Sequence, residues 1–122
     1  MRKLQLDWQG YYPVDEKTVR DKVDDRAGVF KLSRRQGDGS LKPFYTAQAS
    51  SLKMRLLEII TSTEVSCIKE RLDKGDCHFR FAYLYTKEDL DCSERALYRR
   101  YTPRCSDKAA LPEAPDVEIN YN

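Results

Sequence analysis

A tyrosine and an arginine lie ten residues apart in the segment FYTAQASSLKMRLL, which covers residues 44–57. Arg55 falls beside the apolar residues of a predicted helix, and Tyr45 belongs to a strand-like stretch before it. An arginine presents a permanent charge on a planar fork that fits anionic oxygens, and a deprotonated phenol is able to accept a proton. Each residue also has an ordinary explanation, Tyr45 as a strand aromatic and Arg55 as a helix residue whose stem covers apolar surface. Whether they form a site depends on the elements around them.

The chain up to Tyr45 is predicted to form a short helix and a hairpin. Residues 15–22 follow a proline and contain helix-forming side chains, which predicts a helix. Val29 begins a predicted strand that ends at the turn QGDGS, whose glycines suit a hairpin connection. The segment KPFYTAQ, residues 42–48, is then the antiparallel partner that carries Tyr45.

Two helices, a central strand and a last helix follow the hairpin. Either serine at 50–51 caps the first of these helices, in which leucine and isoleucine recur at helical spacing, and the second helix covers about residues 63–74. The aromatic and apolar run at 77–86 indicates a central strand. Thr86 caps a last helix that Pro103 ends. This order predicts an α+β fold, a small three-stranded antiparallel sheet flanked by helices.

The order of elements and the residues on them resemble the GIY-YIG nuclease domain family. In that family the first strand carries Gly-Ile-Tyr, the second carries Tyr-Ile-Gly, and an arginine follows about ten residues after the second tyrosine. Here AGVFKL and FYTAQ stand at the two motifs, and SSLKMRL is similar to the family's NLKKRL, which places Arg55 at the arginine position. The family's pattern E-x-x-L-I-x-x-Y-x-P is similar to the residues Glu94, Leu97, Tyr98, Tyr101 and Pro103.

The resemblance implies a metal-dependent endonuclease that hydrolyses DNA phosphodiester bonds, with DNA repair as a setting. Glu94 would hold one Mg²⁺ or Mn²⁺, because such an ion accepts one or two carboxylates and keeps several waters. Arg55 would clamp a nonbridging phosphate oxygen, and Tyr45 would act as the general base. Because an unperturbed phenol titrates at about pH 10, the resemblance also predicts an alkaline pH optimum.

Several positions depart from the family pattern. Phe30 replaces the tyrosine of the first motif, and Ala47 replaces the glycine of the second. Gln48 stands where a lysine is often found, and Ser106 stands where an asparagine is usual. Phe30, Gln48 and Ser106 are expected to support the site. The departures favour an alternative function, a catalytically weakened module that binds nucleic acid or a protein partner without cleavage. A further alternative is an interaction module whose acidic tail lies across the groove.

The resemblance covers roughly residues 27–106, which defines a GIY-YIG-like nuclease domain. Residues 1–26 are then an N-terminal arm and short helix, and residues 107–122 are an acidic, proline-containing C-terminal tail. The stretch 106–122 carries a net charge of −3, so the formal +2 of the chain places +5 on residues 1–105. A body of this charge is able to approach a phosphate backbone.

Basic residues near the hairpin and near the end of the last helix are candidates for nucleic-acid contacts: Arg34, Arg35, Lys42, Arg99, Arg100 and Arg104. Their ordinary explanation is a solvated turn and a complement to the dipole of the helix. The predicted partner is DNA, duplex or branched, and pairing with a protein partner or as a homodimer stays open.

Four cysteines are separated by 9, 14 and 12 residues, at Cys67, Cys77, Cys92 and Cys105. Zinc sites usually bring two ligands together on one short knuckle, and no CxxC pair does so here. The chain start lacks the apolar stretch of a secretory signal, which predicts reduced, structural thiols and a cytoplasmic location. No apolar run approaches the roughly 20 residues of a membrane span, so no membrane partner is expected.

Overall fold

A four-stranded sheet with helices on both faces forms the centre of the fold. The computed structural model describes all residues, 1–122. The strands are β1 (Arg2–Leu4), β2 (Gln9–Pro13), β3 (Gly28–Arg35), β4 (Leu41–Ala49), β5 (Cys77–Tyr83) and β6 (Val117–Ile119). The helices are α1 (Glu16–Lys22), α2 (Leu52–Ser62), α3 (Ser66–Lys74) and α4 (Lys87–Tyr101), with a short 3₁₀ turn at Lys108–Ala110.

The main sheet has the strand order β2-β5-β3-β4, and every neighbouring pair in it is antiparallel. The predicted α+β class and antiparallel sheet are confirmed, but the sheet has one strand more than the sequence predicts. The additional strand is β2, in the segment expected to be an arm. It pairs with β5 because Tyr12 lies opposite Phe79, with the two ring centroids 5.8 Å apart, and cross-strand aromatic pairs stabilise such an edge.

The C-terminal segment is ordered along the body of the protein. β6 pairs with β1 in parallel, and Val117 and Ile119 are buried. The Asn120 side chain accepts a hydrogen bond from the Leu6 amide at 2.7 Å and donates one to the Leu6 carbonyl at 2.8 Å. These contacts, with the bond from Arg99 Nη2 of α4 to the Val117 carbonyl, fix the end of the acidic tail against β1 and α4.

Side-chain caps define where the helices begin. Ser51 Oγ accepts from the Met54 amide at 3.2 Å, and Thr86 Oγ1 accepts from the Asp89 amide at 3.1 Å, as their positions in the sequence predict. α3 starts three residues later than predicted, because Thr63 Oγ1 instead accepts from the Val65 amide in a local turn. None of the helices combines the length and the apolar character that a membrane span requires.

Two apolar cores cover the two faces of the sheet. α1, α2 and α3 pack on one face around residues such as Phe30 and Leu56, and α4, β1 and β6 pack on the other around Val29 and Leu97. Gly28 lies where the sheet and α2 meet: a Cβ there would stand 2.2 Å from the backbone oxygen of Ala82. Only a glycine allows this approach, which explains the glycine of the first motif.

The prediction that all four cysteines are reduced was wrong. A disulfide joins Cys67 of α3 to Cys105, which follows α4, with the Cα atoms 5.5 Å apart. Cys77 and Cys92 are free and buried. Spacing along the chain gave no sign of the bond, because its partners are 38 residues apart and only the packing of α3 against the end of α4 brings them together.

Candidate functional site

β4 is an edge strand, and its outward backbone groups are bonded by side chains from the second half of the chain. Ser106 Oγ accepts from the Thr46 amide and donates to the Thr46 carbonyl, both at 3.0 Å. The next outward amide, that of Gln48, donates to Glu94 Oε2 at 3.2 Å. The edge of β4 therefore positions both Ser106 and Glu94, because buried or half-buried backbone groups require partners.

Tyr45 and Arg55 are brought together, as predicted. Arg55 lies on the first turn of α2, and its Nη2 donates to Tyr45 Oη at 3.5 Å. Its Nη1 also pairs with Glu58 Oε1 at 2.7 Å, and the Arg55 side chain is 34% exposed. The guanidinium is therefore accessible to a ligand, which would compete with an exposed ion pair of small free energy.

The fully buried ring of Phe30 packs against the ring of Tyr45. The two ring centroids are 5.8 Å apart, in a tilted arrangement, on neighbouring strands β3 and β4. The phenylalanine thus fixes the orientation of the Tyr45 ring by packing, and it adds no polar group to the site. Ala47, in the place of a glycine, has its methyl group buried in the same core.

Glu94 projects from α4 towards Gln48 rather than towards Tyr45. Its Oε1 accepts from Gln48 Nε2 at 3.1 Å, in addition to the bond from the Gln48 amide. Gln48 lies three residues after Tyr45 on β4, and side chains alternate between the faces of a strand. The phenol and guanidinium consequently lie on the α2 side of β4 and the carboxylate on its α4 side. We call Tyr45, Gln48, Arg55 and Glu94 the β4 edge site.

Two residues that the sequence analysis missed complete the polar network on the α4 side. Asp91 Oδ1 accepts from Gln48 Nε2 at 2.7 Å and from Lys87 Nζ at 2.8 Å, and Lys87 Nζ also lies 3.4 Å from Gln48 Oε1. The spacing of positions 87, 91 and 94 places all three on one face of a helix, and this is the signal that would have found them.

The two carboxyl groups of this network are held differently. Burial raises the pKa of the Glu94 carboxyl, and the hydrogen bonds from Gln48 offset only part of that rise. Burial also acts to raise the pKa of Asp91, but hydrogen bonds from Lys87 and Gln48 outweigh it and leave that pKa below its ordinary value. Lys87 thus neutralises Asp91, while Glu94 has no cationic side chain as a partner.

Glu94 and Asp91 fit a magnesium-type ion. A half-buried carboxylate with a raised pKa gains stability from a nearby cation, and Mg²⁺ is usually held by one or two carboxylates and several waters. No group of three or more histidine, cysteine, aspartate or glutamate side chains gathers anywhere in the structure. An ion at Glu94 would therefore keep most of its ligands as water.

The basic residues predicted to contact nucleic acid separate into two groups. Arg34, Lys42 and Arg104 line one groove at the start of β4. The other three already have partners: Arg99 pairs with Asp116 at 2.7 Å, Arg35 lies 3.5 Å from Asp76, and Arg100 stacks over the ring of Tyr121. Contacts within the protein therefore occupy these three residues, and Arg99 and Arg100 also lie in the last turn of α4, where the predicted complement to the helix dipole would place them.

Known proteins similar to this chain were found by comparing structures and not by comparing sequences. No model of a known protein family matches the sequence, and no curated protein matches it. Among solved structures, the chain is similar to the GIY-YIG N-terminal endonuclease domain of UvrC from Thermotoga maritima bound to magnesium, with a TM-score of 0.58 at 19% identity. The match covers 75% of this chain and 98% of that domain. A point mutant of that domain bound to its catalytic divalent cation matches at the same TM-score and 20% identity over the same shares.

The chain has a GIY-YIG-like fold. Folds of this kind position side chains without defining a reaction, so activity must be argued from the β4 edge site itself.

Proposed function

We propose that this chain is a metal-dependent endonuclease that hydrolyses DNA phosphodiester bonds at the β4 edge site. The observation that supports it is the placement of three groups around the edge strand β4: Tyr45 in contact with Arg55 on its α2 side, and the half-buried carboxylate of Glu94, without an ion-pair partner, beside Gln48 on its α4 side. Phosphodiester hydrolysis needs a base for water, a positive group for the phosphate and a carboxylate for a metal, and these three residues are of those types.

In this proposal Arg55 binds the phosphate. Its guanidinium exchanges Glu58 for a nonbridging phosphate oxygen, which costs little because the Arg55–Glu58 pair is exposed. The same guanidinium contacts Tyr45 Oη at 3.5 Å and so holds the phenol oxygen beside the bound phosphate. Tyr45, after losing its own proton to solvent, accepts the proton of the attacking water as the phenolate, while Phe30 fixes its ring.

Glu94 is the proposed ligand of Mg²⁺ or Mn²⁺, with Asp91 nearby. A divalent cation held there would supply positive charge against the phosphate and the leaving oxygen. Ser106 acts by position: its hydroxyl bonds both backbone groups of Thr46 and so holds the edge of β4 between Tyr45 and Gln48.

Cleavage of end-labelled duplex and branched oligonucleotides tests the proposal. We expect cleavage with Mg²⁺ or Mn²⁺ and none with EDTA, at a rate that rises with pH from about 6 to about 9.5. Tyr45→Phe should lower the rate by at least about 100-fold, whereas Tyr85→Phe, at a 76% exposed position outside the site, should leave it unchanged. A rate that does not change over this pH range would exclude Tyr45 as the base.

One contact favours the alternative function, binding of nucleic acid or a protein partner without cleavage. Gln48 Nε2 donates to both Asp91 and Glu94, so its amide occupies the space beside the two carboxylates. Under this alternative the protein shifts a labelled duplex in a gel and cuts nothing in any metal. If Gln48→Ala then gained metal-dependent cleavage, the Gln48 amide would be the group that blocks the reaction.

The other expectations stay proposals with their own tests. The division at residues 27 and 106 is tested by limited proteolysis, although both terminal segments add strands to the fold. Cytoplasmic location is tested by cell fractionation, and the Cys67–Cys105 disulfide makes this test informative because such bonds are rare in the cytosol. A homodimer or protein partner is tested by sedimentation, and DNA repair by the damage sensitivity of cells lacking the protein.

A further inference from the structure

A groove of about 420 Å³ lies at the start of β4, beyond the end of the β4 edge site that carries Tyr45. Its walls come from β3 and β4, from α3, and from the segment after α4. Five of its lining residues are basic and none is acidic; the five are Arg34, Lys42, Arg71, Lys74 and Arg104. We call it the basic groove.

Four of these five cations have no carboxylate partner, and the fifth, Lys74, lies 3.4 Å from Glu70 Oε1. Lys42 and Arg104 are exposed and make no ion pair or side-chain hydrogen bond within the protein. Arg34 Nε donates only to the Gly75 carbonyl, at 3.1 Å, and Arg71 Nη1 donates to the Cys67 carbonyl, at 3.2 Å. The positive charge of the basic groove is therefore largely uncompensated, which is the condition for attracting an anionic chain.

The disulfide holds the α3 wall of the basic groove in place. α3 buries only Ile68 fully, so little apolar contact fixes it to the sheet. Cys67 of α3 is bonded to Cys105, and the Cys105 amide donates to the Phe44 carbonyl on β4 at 2.8 Å. This chain of bonds joins α3, which carries Arg71, to the strand that carries Lys42, and both residues line the basic groove.

We propose that the basic groove binds the phosphate backbone of a duplex beside the β4 edge site, and that the Cys67–Cys105 disulfide holds its walls together. The choice of a duplex rests on the proposed function. Lys42 and Gln48 lie six residues apart on β4, which corresponds to about 20 Å along the strand. One duplex is long enough to contact both places, since its strands carry a phosphate about every 3.4 Å along the axis.

Binding of a fluorescent duplex of about 20 base pairs, followed by anisotropy in EDTA, tests the groove. The double variant Lys42→Ala, Arg104→Ala should bind at least about tenfold more weakly at low salt, and its log–log salt slope should be shallower by about 1.8, because each lost phosphate contact removes about 0.9. The matched control Lys3→Ala, Lys17→Ala removes the same charge at exposed positions outside the groove and should bind like the wild type. Equal affinities of the two double variants would overturn the proposal.

Serine variants test the role of the disulfide. Cys67→Ser and Cys105→Ser should each weaken duplex binding, and the double variant should bind no more weakly than either single one, because all three lose the same bond. Circular dichroism must show that the serine variants stay folded. If the serine variants unfold, the exposed Lys42 and Arg104 variants still test the groove. Folded serine variants with wild-type affinity would show that the disulfide has no part in the groove.

Because binding is measured in EDTA, it tests the basic groove independently of metal-dependent cleavage. A wild type that needs Lys42 and Arg104 for binding, yet cuts no DNA in metal, would contradict the proposed function and leave the groove standing. If the wild type cuts DNA, and the Lys42 and Arg104 variants have the same duplex affinity and cleavage rate as the wild type, only the proposal for the groove is overturned.

Discussion

Replacing Lys31 by methionine should change how the stability of the protein depends on pH. Lys31 is 1% exposed and has no carboxylate partner. Its ammonium group donates to Tyr101 Oη at 3.1 Å and lies 4.8 to 5.5 Å from the ring centroids of Tyr101, Trp8 and Tyr11. Burial, with smaller contributions from the charges of Arg80 and Arg100, lowers the pKa of Lys31 to about 8.

The size of the effect follows from this pKa. A fall from 10.5 to about 8 destabilises the folded state by roughly 3 kcal/mol wherever Lys31 is charged in both states, that is, below about pH 8. Between about pH 8 and 10.5 the unfolded chain holds a proton that the folded protein lacks, so this penalty shrinks as the pH rises. From pH 7 to pH 9 the free energy of unfolding of the wild type should rise by about 1.3 kcal/mol relative to that of Lys31→Met.

Urea unfolding at pH 7 and pH 9, on the wild type and Lys31→Met, measures this difference. All other titrating groups are shared, so subtracting the two proteins isolates Lys31. Lys17→Met, at a side chain that is 87% exposed, is the control and should not change the pH dependence in this direction. If the stability gap between wild type and Lys31→Met were the same at both pH values, Lys31 would not have a lowered pKa in the folded protein.

Three further changes probe the fold and the edge of β4. Gly28→Ala should cost about 1–3 kcal/mol of stability in urea, because its Cβ would lie 2.2 Å from a backbone oxygen of β5, whereas Gly37→Ala meets nothing within 4 Å and should be neutral. Cys67→Ser should lower stability by about 4 kcal/mol through the released loop, and an unchanged urea midpoint would argue that the disulfide does not form. Ser106→Ala removes both bonds to Thr46 and should cost about 1–3 kcal/mol, which a wild-type melting curve would contradict.

Local signals predicted most of the fold. Ser51 and Thr86 lie at helix starts because a hydroxyl there accepts an otherwise unpaired amide, and this chemistry depends only on neighbouring residues. Gly75, with φ of 81°, ends α3 for a similarly local reason. The hairpin of β3 and β4, which carries Tyr45, was equally visible from its turn residues.

Features that depend on distant parts of the chain were not visible. The sequence of β2 predicts only an aromatic arm, because β2 becomes a strand by pairing with the aromatic residues of β5. The strand β6 was not predicted because it lies in a proline-containing acidic tail without periodicity. In the site, Tyr45 and Arg55 are joined by one strand-to-helix connection, so their contact was predictable. The bonds from Gln48 to Asp91 and Glu94 span more than 40 residues and arise only when α4 packs on β4.

The central claim is that Glu94 and the Tyr45–Arg55 pair act together on a phosphodiester. Nicking of supercoiled plasmid by wild type and Glu94→Gln, each with Mg²⁺ and with EDTA, tests it most directly. Glu88→Gln, at a 65% exposed side chain on the same helix, is the matched control. We expect relaxed circles from the wild type and Glu88→Gln only with Mg²⁺, and at least about a 100-fold slower reaction from Glu94→Gln. Equal nicking by the wild type and Glu94→Gln, or plasmid binding by the wild type without nicking in Mg²⁺ or Mn²⁺, would contradict it.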